Sequence, residues 1–350
     1  MIKIMAISFG KESKIGIVGA GAIGGITAAL LYRAGYDIEV ACNSVELAEK
    51  IISRGLHVFG NKIDFKLALP AVAHISQFNG HKDIILLATK ANDMLKAAQE
   101  ALPFLTNDSK VVCMQNGICD FALADTIGSH RTVGCIVNWG ATMHEPGELE
   151  LTASSNFILG NVFNDFDTCL GPLSEVLGTV FPVRISHNMM GHRYAKLIIN
   201  ACTASLGAVC GLYLGDMLAI RRIRKIMMSI VAECMSVADA VGIKVERTIG
   251  NFDYRSFSEG SGIIADIKRH LLIHAIGLRY RKLKSSSLSS LERGKRTEID
   301  YLNGYVEAKG KEYNVPTPVN SKIVEIVKEI EDGRRSISLR NLDDPFFAGL

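Results

Sequence analysis

The chain has 350 residues, enough for about two domains with separate cores, and its 48% apolar and 21% charged residues exclude a disordered protein. A net charge of +3 is too small to imply nucleic-acid binding by itself. Eight cysteines, at 42, 113, 119, 135, 169, 202, 210 and 234, include no C-x-x-C pair and mostly lie in apolar runs. They read as buried thiols of a reducing compartment and speak against a disulfide framework or a metal site.

The first thirteen residues set Lys3 and Lys11 around a short apolar run, without the long hydrophobic region and cleavage site of a signal peptide, which predicts a cytoplasmic protein. Runs at 15–18, 38–42, 84–88 and 111–114 are nearly continuous in apolar residues, as parallel strands covered on both faces by helices are. Directly after the first run comes Gly19-Ala20-Gly21-Ala22-Ile23-Gly24, which opens an apolar helix over 26–32. Strand, G-x-G-x-x-G and helix in that order form a dinucleotide-binding turn. Gly19 permits the tight bend, Gly21 lets the backbone approach a pyrophosphate, and Gly24 allows close packing of the helix whose N-terminus faces the phosphates. Gly19, Gly21, Ala22, Ile23 and Gly24 are therefore cofactor-binding candidates.

The second strand ends in Ala41-Cys42-Asn43-Ser44, with neither the acid that an NAD site usually places there nor the arginine common in NADP sites. Glu39 lies within the strand, too early for that role. Asn43 and Ser44 can donate to a 2′-phosphate, which leans the expectation to NADP, with NAD left open. Gly60-Asn61 between 57–59 and 63–69 predicts a hairpin. Thr89-Lys90-Ala91-Asn92 and Gln115-Asn116-Gly117 follow the 84–88 and 111–114 runs, where ligands collect in such sheets, so Lys90 and Asn116 are cofactor-lining candidates. Runs at 132–137, 148–151, 157–159 and 180–185 read as further strands, and the short polar turns joining them predict antiparallel pairing.

After 187 the pattern changes to helices, expected over 190–210, 217–241, 263–281, 295–313 and 320–331. The uncharged stretch 197–215 contains Asn200, Thr203, Ser205, Gly207 and Gly211, which makes it a buried helix rather than a membrane span. The predicted architecture is an α/β Rossmann-type domain over 14–186, an all-α domain over 187–333 and a mobile tail over 334–350. The one biased segment is the serine run 285–290.

Lys196 is a lone cation inside the apolar helix, and a buried ammonium costs several kcal/mol, by a rough estimate, unless a ligand, partner or wet cleft receives it. Hydride addition to a ketone leaves charge on oxygen, and such a lysine can supply the proton. Asn200, four residues on, shares its helix face and can hydrogen-bond a substrate. Glu298 supplies a counter-charge that could orient Lys196 or accept a substrate hydroxyl, although its local sequence alone reads as an exposed helix carboxylate.

The glycine turn, Lys90, Gln115-Asn116-Gly117, Lys196 with Asn200, and Thr297-Glu298-Ile299-Asp300-Tyr301-Leu302-Asn303-Gly304 occur in the order and approximate spacing of the ketopantoate reductases, which the chain resembles from 14 to about 330. The resemblance implies NADPH-dependent reduction of 2-dehydropantoate to (R)-pantoate, on the route to pantothenate and coenzyme A. By that likeness Lys196 is the general acid, Glu298 assists substrate binding and catalysis, Asn116 and Lys90 sit near the nicotinamide, Asn116 also binds the substrate, and Ser286 binds the substrate carboxylate. Three positions depart from the family pattern: Asn43 replaces an arginine, Ala204 a second amide, and Ser290 an aspartate. These leave hydride chemistry in place and keep other 2-oxo acids, and NAD, open.

The basic stretch 268–284 lacks an aromatic stacking platform and reads as a solvated lip that attracts anions, not as a nucleic-acid or membrane surface. His270 and His274 have i, i+4 spacing without a third ligand nearby, so no metal is expected. The competing functions are a D-2-hydroxy acid dehydrogenase with another substrate and a non-catalytic dinucleotide sensor. Retention of both Lys196 and Glu298 speaks against the sensor. The partner expected is a small-molecule 2-oxo acid, and the apolar helical faces allow a homodimer.

Overall fold

The computed structural model describes residues 8–163, 167–248, 252–259 and 262–350; residues 1–7, read above for a targeting signal, lie outside them. The chain falls into two compact units. One holds the residues up to Gln115 with Cys119–Met189; the other holds Asn116–Ile118 with Met190–Leu350.

The first unit alternates strands and helices: β1 (Lys14–Val18), α1 (Ala22–Arg33), β2 (Asp37–Ala41), α2 (Val45–Arg54), β3 (Leu56–Gly60), β4 (Ile63–Leu67), β5 (Ala71–Val72), β6 (Lys82–Leu87), α3 (Ala91–Ala101), β7 (Leu105–Cys113), α4 (Asp120–Ile127), β8 (Thr132–Val137), β9 (Gly140–Glu145), β10 (Glu148–Ala153), β11 (Phe157–Gly160), α5 (Leu170–Gly178) and β12 (Val183–Ile185). Eight strands form one sheet in the order β12-β11-β8-β7-β6-β1-β2-β5. The sheet is parallel from β5 through β8, and Ile15, Ile17, Ile38, Val40, Ile84, Leu86 and Val112 fill its core. Continuous apolar strands result because helices cover both faces, which is the physical basis of the expected Rossmann-type fold.

A second sheet has the order β4-β3-β10-β9. Its β3–β4 hairpin turns at Asn61 and Lys62, with φ of 43° and 69°, one residue later than Gly60-Asn61. Two successive left-handed residues give a turn whose twist suits flanking strands. The sheet packs on α1, where a Cβ on Gly25 would lie 2.5 Å from a Leu149 methyl carbon.

The antiparallel expectation for the later strands holds for β8–β11 and β9–β10, and fails for three pairings, β7–β8, β11–β12 and β3–β10. β8 runs parallel to β7 and β12 parallel to β11, because α4 and α5 intervene and carry the chain back across the sheet.

The second unit is helical: α6 (Met189–Cys210), almost wholly within it, then α7 (Leu214–Ala219), α8 (Arg221–Val241), α9 (Tyr254–Ser258), α10 (Ile263–Arg279), α11 (Ser286–Glu292), α12 (Asn303–Glu312) and α13 (Pro318–Glu331). Its core gathers Leu197, Ile198, Ala201, Leu206, Ile226, Ile230, Val306, Ile323 and Val327. Among the described residues no helix is long and apolar enough to cross a membrane.

Three expectations for this part are corrected. The helix expected over 217–241 breaks at Ile220, which is extended, and the Arg224 guanidinium donates to the carbonyls of Leu218 and Ala219, each at 2.7 Å, closing α7. The helix expected over 295–313 begins only at Asn303, after a 3-10 turn at Ile299–Tyr301. The stretch 334–350 is no mobile tail: Leu342 and Phe347 are buried in the helical core, and Asn341 donates to the Val209 carbonyl at 3.0 Å. Its polar residues read locally as solvated, but two well-spaced apolar side chains suffice to dock it.

Candidate active site

The glycine turn lies at the C-terminal edge of β1, the place where open parallel sheets receive ligands. Gly19 has φ +106°, and a Cβ there would come 3.0 Å from the carbonyl of Ala88. At Gly24 it would come 2.0 Å from the Gly19 carbonyl oxygen, so the turn closes only with glycine at that position. Gly21 is different: its chain neighbours aside, no atom of the described residues lies within 4 Å of the position its Cβ would take. It precedes the first turn of α1, which carries no side-chain cap and no acidic residue. The orphan N–H groups there, with the open space at Gly21, fit a dinucleotide pyrophosphate.

Beyond β2, Asn43 is exposed. Ser44 caps α2, its oxygen accepting from the Leu47 N–H at 3.2 Å. Glu46 follows, its carboxyl held below the ordinary range by its own backbone N–H and by the Ser44 hydroxyl. Both hydrogen-bonding capacities of Ser44 thus serve the start of α2. Glu39 is turned elsewhere, accepting from Lys82 at 2.8 Å and from the Asn79 N–H at 2.9 Å, as its early position in the strand predicts.

Lys90 stands exposed just before α3. Gln115 is buried and ties two strand ends together: its side-chain N–H donates to the Leu87 carbonyl at 2.9 Å and to the Thr89 hydroxyl at 3.2 Å. Asn116 is half-buried and belongs with the helical unit. Beside it Gly117 has φ +81°, and a Cβ there would lie 2.5 Å from the Tyr301 carbonyl oxygen, so the loop comes close to the segment that bears Glu298.

In the helical unit α6 is the organising element. Lys196 is half-buried on it, less enclosed than its apolar surroundings suggest. Asn200 lies one turn further, and its side-chain nitrogen is buried with no hydrogen-bond partner among the described residues. Ala204, the place of the absent second amide, offers its carbonyl to the Ser285 hydroxyl at 3.2 Å. A Cβ on Gly207 would meet that hydroxyl at 2.6 Å, so the serine segment packs directly on α6. Ser285 caps α11, turning the serine run into a helix start. Ser286 is exposed beside it.

Glu298 is only 6% exposed, which overturns the exposed reading that its local sequence favours. It precedes the 3-10 turn, and Thr297 before it is anchored to Glu331 of α13. Sequence reasoning missed Thr297, Glu331 and Asn303 as the residues that hold this segment. The polar residues inside T-E-I-D-Y-L-N-G were a visible signal, but their partners lie far along the chain. All eight cysteines are buried, and burial pushes the Cys42 and Cys202 thiols up to about 12, where they are inert. His270 accepts from the Arg224 guanidinium at 3.1 Å.

The family profile "Ketopantoate reductase PanE/ApbA" matches residues 15–164, and "Ketopantoate reductase PanE/ApbA C terminal" matches residues 188–331. The 2-dehydropantoate 2-reductase of Pyrococcus horikoshii is 28% identical over 322 residues, covering 91% of this chain and 97% of that protein. That of Lactococcus lactis is 25% identical over 330 residues, covering 91% and 98%. Among solved structures, a PanE/ApbA family ketopantoate reductase from Ralstonia eutropha superposes with a TM-score of 0.77 at 26% identity, over 92% of this chain and 99% of that one. D-mandelate dehydrogenase, solved with NADH and anilino(oxo)acetate, gives 0.79 at 23% identity over 91% and 99%, a likeness of fold alone.

Fold, glycine turn and matches together define a dinucleotide-binding oxidoreductase. Its α/β and helical parts each carry their matching profile, and the chain belongs to the ketopantoate reductase family.

Proposed function

We propose that the chain reduces the ketone of 2-dehydropantoate to the hydroxyl of (R)-pantoate with NADPH, a step of pantothenate and coenzyme A biosynthesis. The nicotinamide, when bound, supplies the hydride. The residues of the chain do the rest. Gly19, Gly21, Ala22, Ile23 and Gly24 present backbone N–H groups to the pyrophosphate, and Lys90 and Asn116 line the nicotinamide end. As the carbonyl carbon is reduced, negative charge grows on its oxygen, and the Lys196 ammonium donates a proton to that atom. The neutral amine left behind regains its proton from solvent. Asn200 hydrogen-bonds the substrate, Ser286 holds its carboxylate, and Glu298 accepts a hydrogen bond from a substrate hydroxyl and orients Lys196.

The Asn200 side-chain nitrogen carries this reading: a buried donor without a hydrogen-bond partner among the described residues, one turn from a half-buried lysine. A buried donor left unpaired costs about 1–3 kcal/mol, and a substrate oxygen at that position removes the penalty.

A second reading, a D-2-hydroxy acid dehydrogenase that uses NADH on another 2-oxo acid, is favoured by the end of β2. There Ser44 is committed to the α2 cap and Glu46 is ionised, an unfavourable setting for a 2′-phosphate. Titration with NADPH and with NADH, followed by addition of 2-dehydropantoate and then other 2-oxo acids while nicotinamide absorbance is followed, separates the two. Tight dinucleotide binding without turnover of any 2-oxo acid would leave a sensor and end both.

A further inference from the structure

Asn303 is completely buried in the first turn of α12, five residues after Glu298. Its side-chain nitrogen donates to the Ala201 carbonyl of α6 at 3.2 Å and to the Asn320 side-chain oxygen at 2.9 Å. Its side-chain oxygen accepts from the Ser205 hydroxyl of α6. Asn320 is held in turn by Glu233 of α8, whose carboxylate accepts its backbone N–H at 2.9 Å and its side-chain N–H at 2.7 Å. Because the Asn320 nitrogen is spent on that carboxylate, its oxygen is what faces Asn303, and Asn303 must present its nitrogen. The polarity of the chain is therefore set from Glu233, and Asn303 cannot flip without placing its oxygen against two acceptors.

An apolar side chain at this place would avoid the cost of burying an amide only if its polar partners Ser205 and Asn320 were replaced with it. The amide adds register instead: Ala201 directly follows Asn200 and lies five residues after Lys196, so one side chain ties that stretch of α6 to the segment that bears Glu298. We propose that Asn303 is a positioning residue for the reduction, fixing Glu298 relative to Lys196 and Asn200, an inference that rests on the function proposed above.

The test compares Asn303→Ala with Val306→Ala, a cavity in the same helix at a side chain equally buried but without polar contacts. Misplacement of reacting groups by about 1 Å costs on the order of 10²-fold in rate, so Asn303→Ala is expected to lower kcat by about that factor with dinucleotide Kd unchanged. Val306→Ala, at a comparable loss of urea stability, is expected to keep kcat within about threefold, since lost packing alone moves no reacting group. Ser205→Ala, which removes only the hydroxyl donated to Asn303, serves if Asn303→Ala does not fold, with kcat expected to fall by about 10-fold. Wild-type kcat in Asn303→Ala, or in Ser205→Ala where that is the variant that folds, overturns the inference and leaves the reductase reading standing. Equal losses in Asn303→Ala and Val306→Ala overturn it as well. Absence of turnover in the wild-type chain removes the reductase reading, and the inference with it.

Discussion

Thr297 donates both its backbone N–H and its hydroxyl to a single carboxylate oxygen of Glu331, each at 2.7 Å. The same hydroxyl oxygen accepts from the Ile299 N–H at 3.2 Å, so the backbone on both sides of Glu298 is held by one ion-assisted clamp. Hydrogen bonds to charged groups contribute about 1.5–3 kcal/mol each, and loss of the acceptor in Glu331→Ala is expected to destabilise the helical unit by about 2 kcal/mol in urea unfolding. Glu331→Gln keeps an oxygen in place and should cost about half of that or less. Equal losses in the two variants would show that the clamp is not what Glu331 supplies.

Lys196→Ala is expected to lower kcat by about 10²–10⁴-fold, the usual contribution of a general acid. The glycine turn lies in the other unit, so dinucleotide binding measured by calorimetry should stay near the wild-type value. A parallel loss of binding and turnover would mark Lys196 as structural.

Gly21 and Gly24 should respond in opposite ways to alanine. At Gly24 the new Cβ meets the Gly19 carbonyl oxygen at 2.0 Å, and the turn must distort, with an expected loss of about 1–3 kcal/mol as for overpacking. At Gly21, its chain neighbours aside, no described atom lies within 4 Å and φ is −72°, so Gly21→Ala should fold with nearly unchanged stability. Its methyl group would instead fill the approach of a pyrophosphate, and dinucleotide affinity should fall by about 10-fold or more if the helix N-terminus is the phosphate site. Unchanged affinity in Gly21→Ala would remove the turn from the cofactor site.

Asn43→Arg places a guanidinium at the exposed end of β2, where the chain has none. A bidentate contact to a 2′-phosphate is expected to raise NADPH affinity relative to NADH by about 10-fold, the scale of a charge-assisted pair. If the ratio of the two Kd values does not move, the adenosine ribose lies elsewhere.

His57 on β3 is bracketed by Asp64 at 2.9 Å and Glu148 at 2.6 Å, and these carboxylates raise its pKa from the ordinary 6.5. A histidine whose folded value is raised adds stability that is complete below its unfolded value and fades as pH climbs through the folded one. Urea unfolding of wild type and His57→Gln should therefore differ most near pH 6 and converge toward pH 9. A gap that widens with pH would contradict the ion pairs.

What could be read from the residues in order was whatever short-range geometry dictates. Gly19 and Gly24 are legible because a tight turn and a close crossing each exclude a side chain within a few residues of chain. The strand runs are legible because burial on both faces leaves a continuous apolar signature, and α6 because its length and composition admit little else. The hairpin was found one residue early, since Asn61 and Lys62 take the left-handed conformation and Gly60 pairs within the ladder.

Burial and partnership were decided elsewhere. Glu298 reads locally as a solvated carboxylate, and is buried because Glu331, Asn303 and Asn320 fold its segment into the helical core. Ser44 looks like a phosphate donor and becomes a helix cap with Glu46 beside it. Residues 334–350 look like a tail and dock through Leu342 and Phe347. The sequence by itself determined the alternation of strand and helix, the glycine turn and the lysine worth testing, because those follow from steric rules and periodicities acting over a few residues. Only the tertiary structure decided which polar side chains share an environment, since the bonds that do so, such as Ser205 to Asn303 across 98 positions, join residues whose proximity no local pattern encodes.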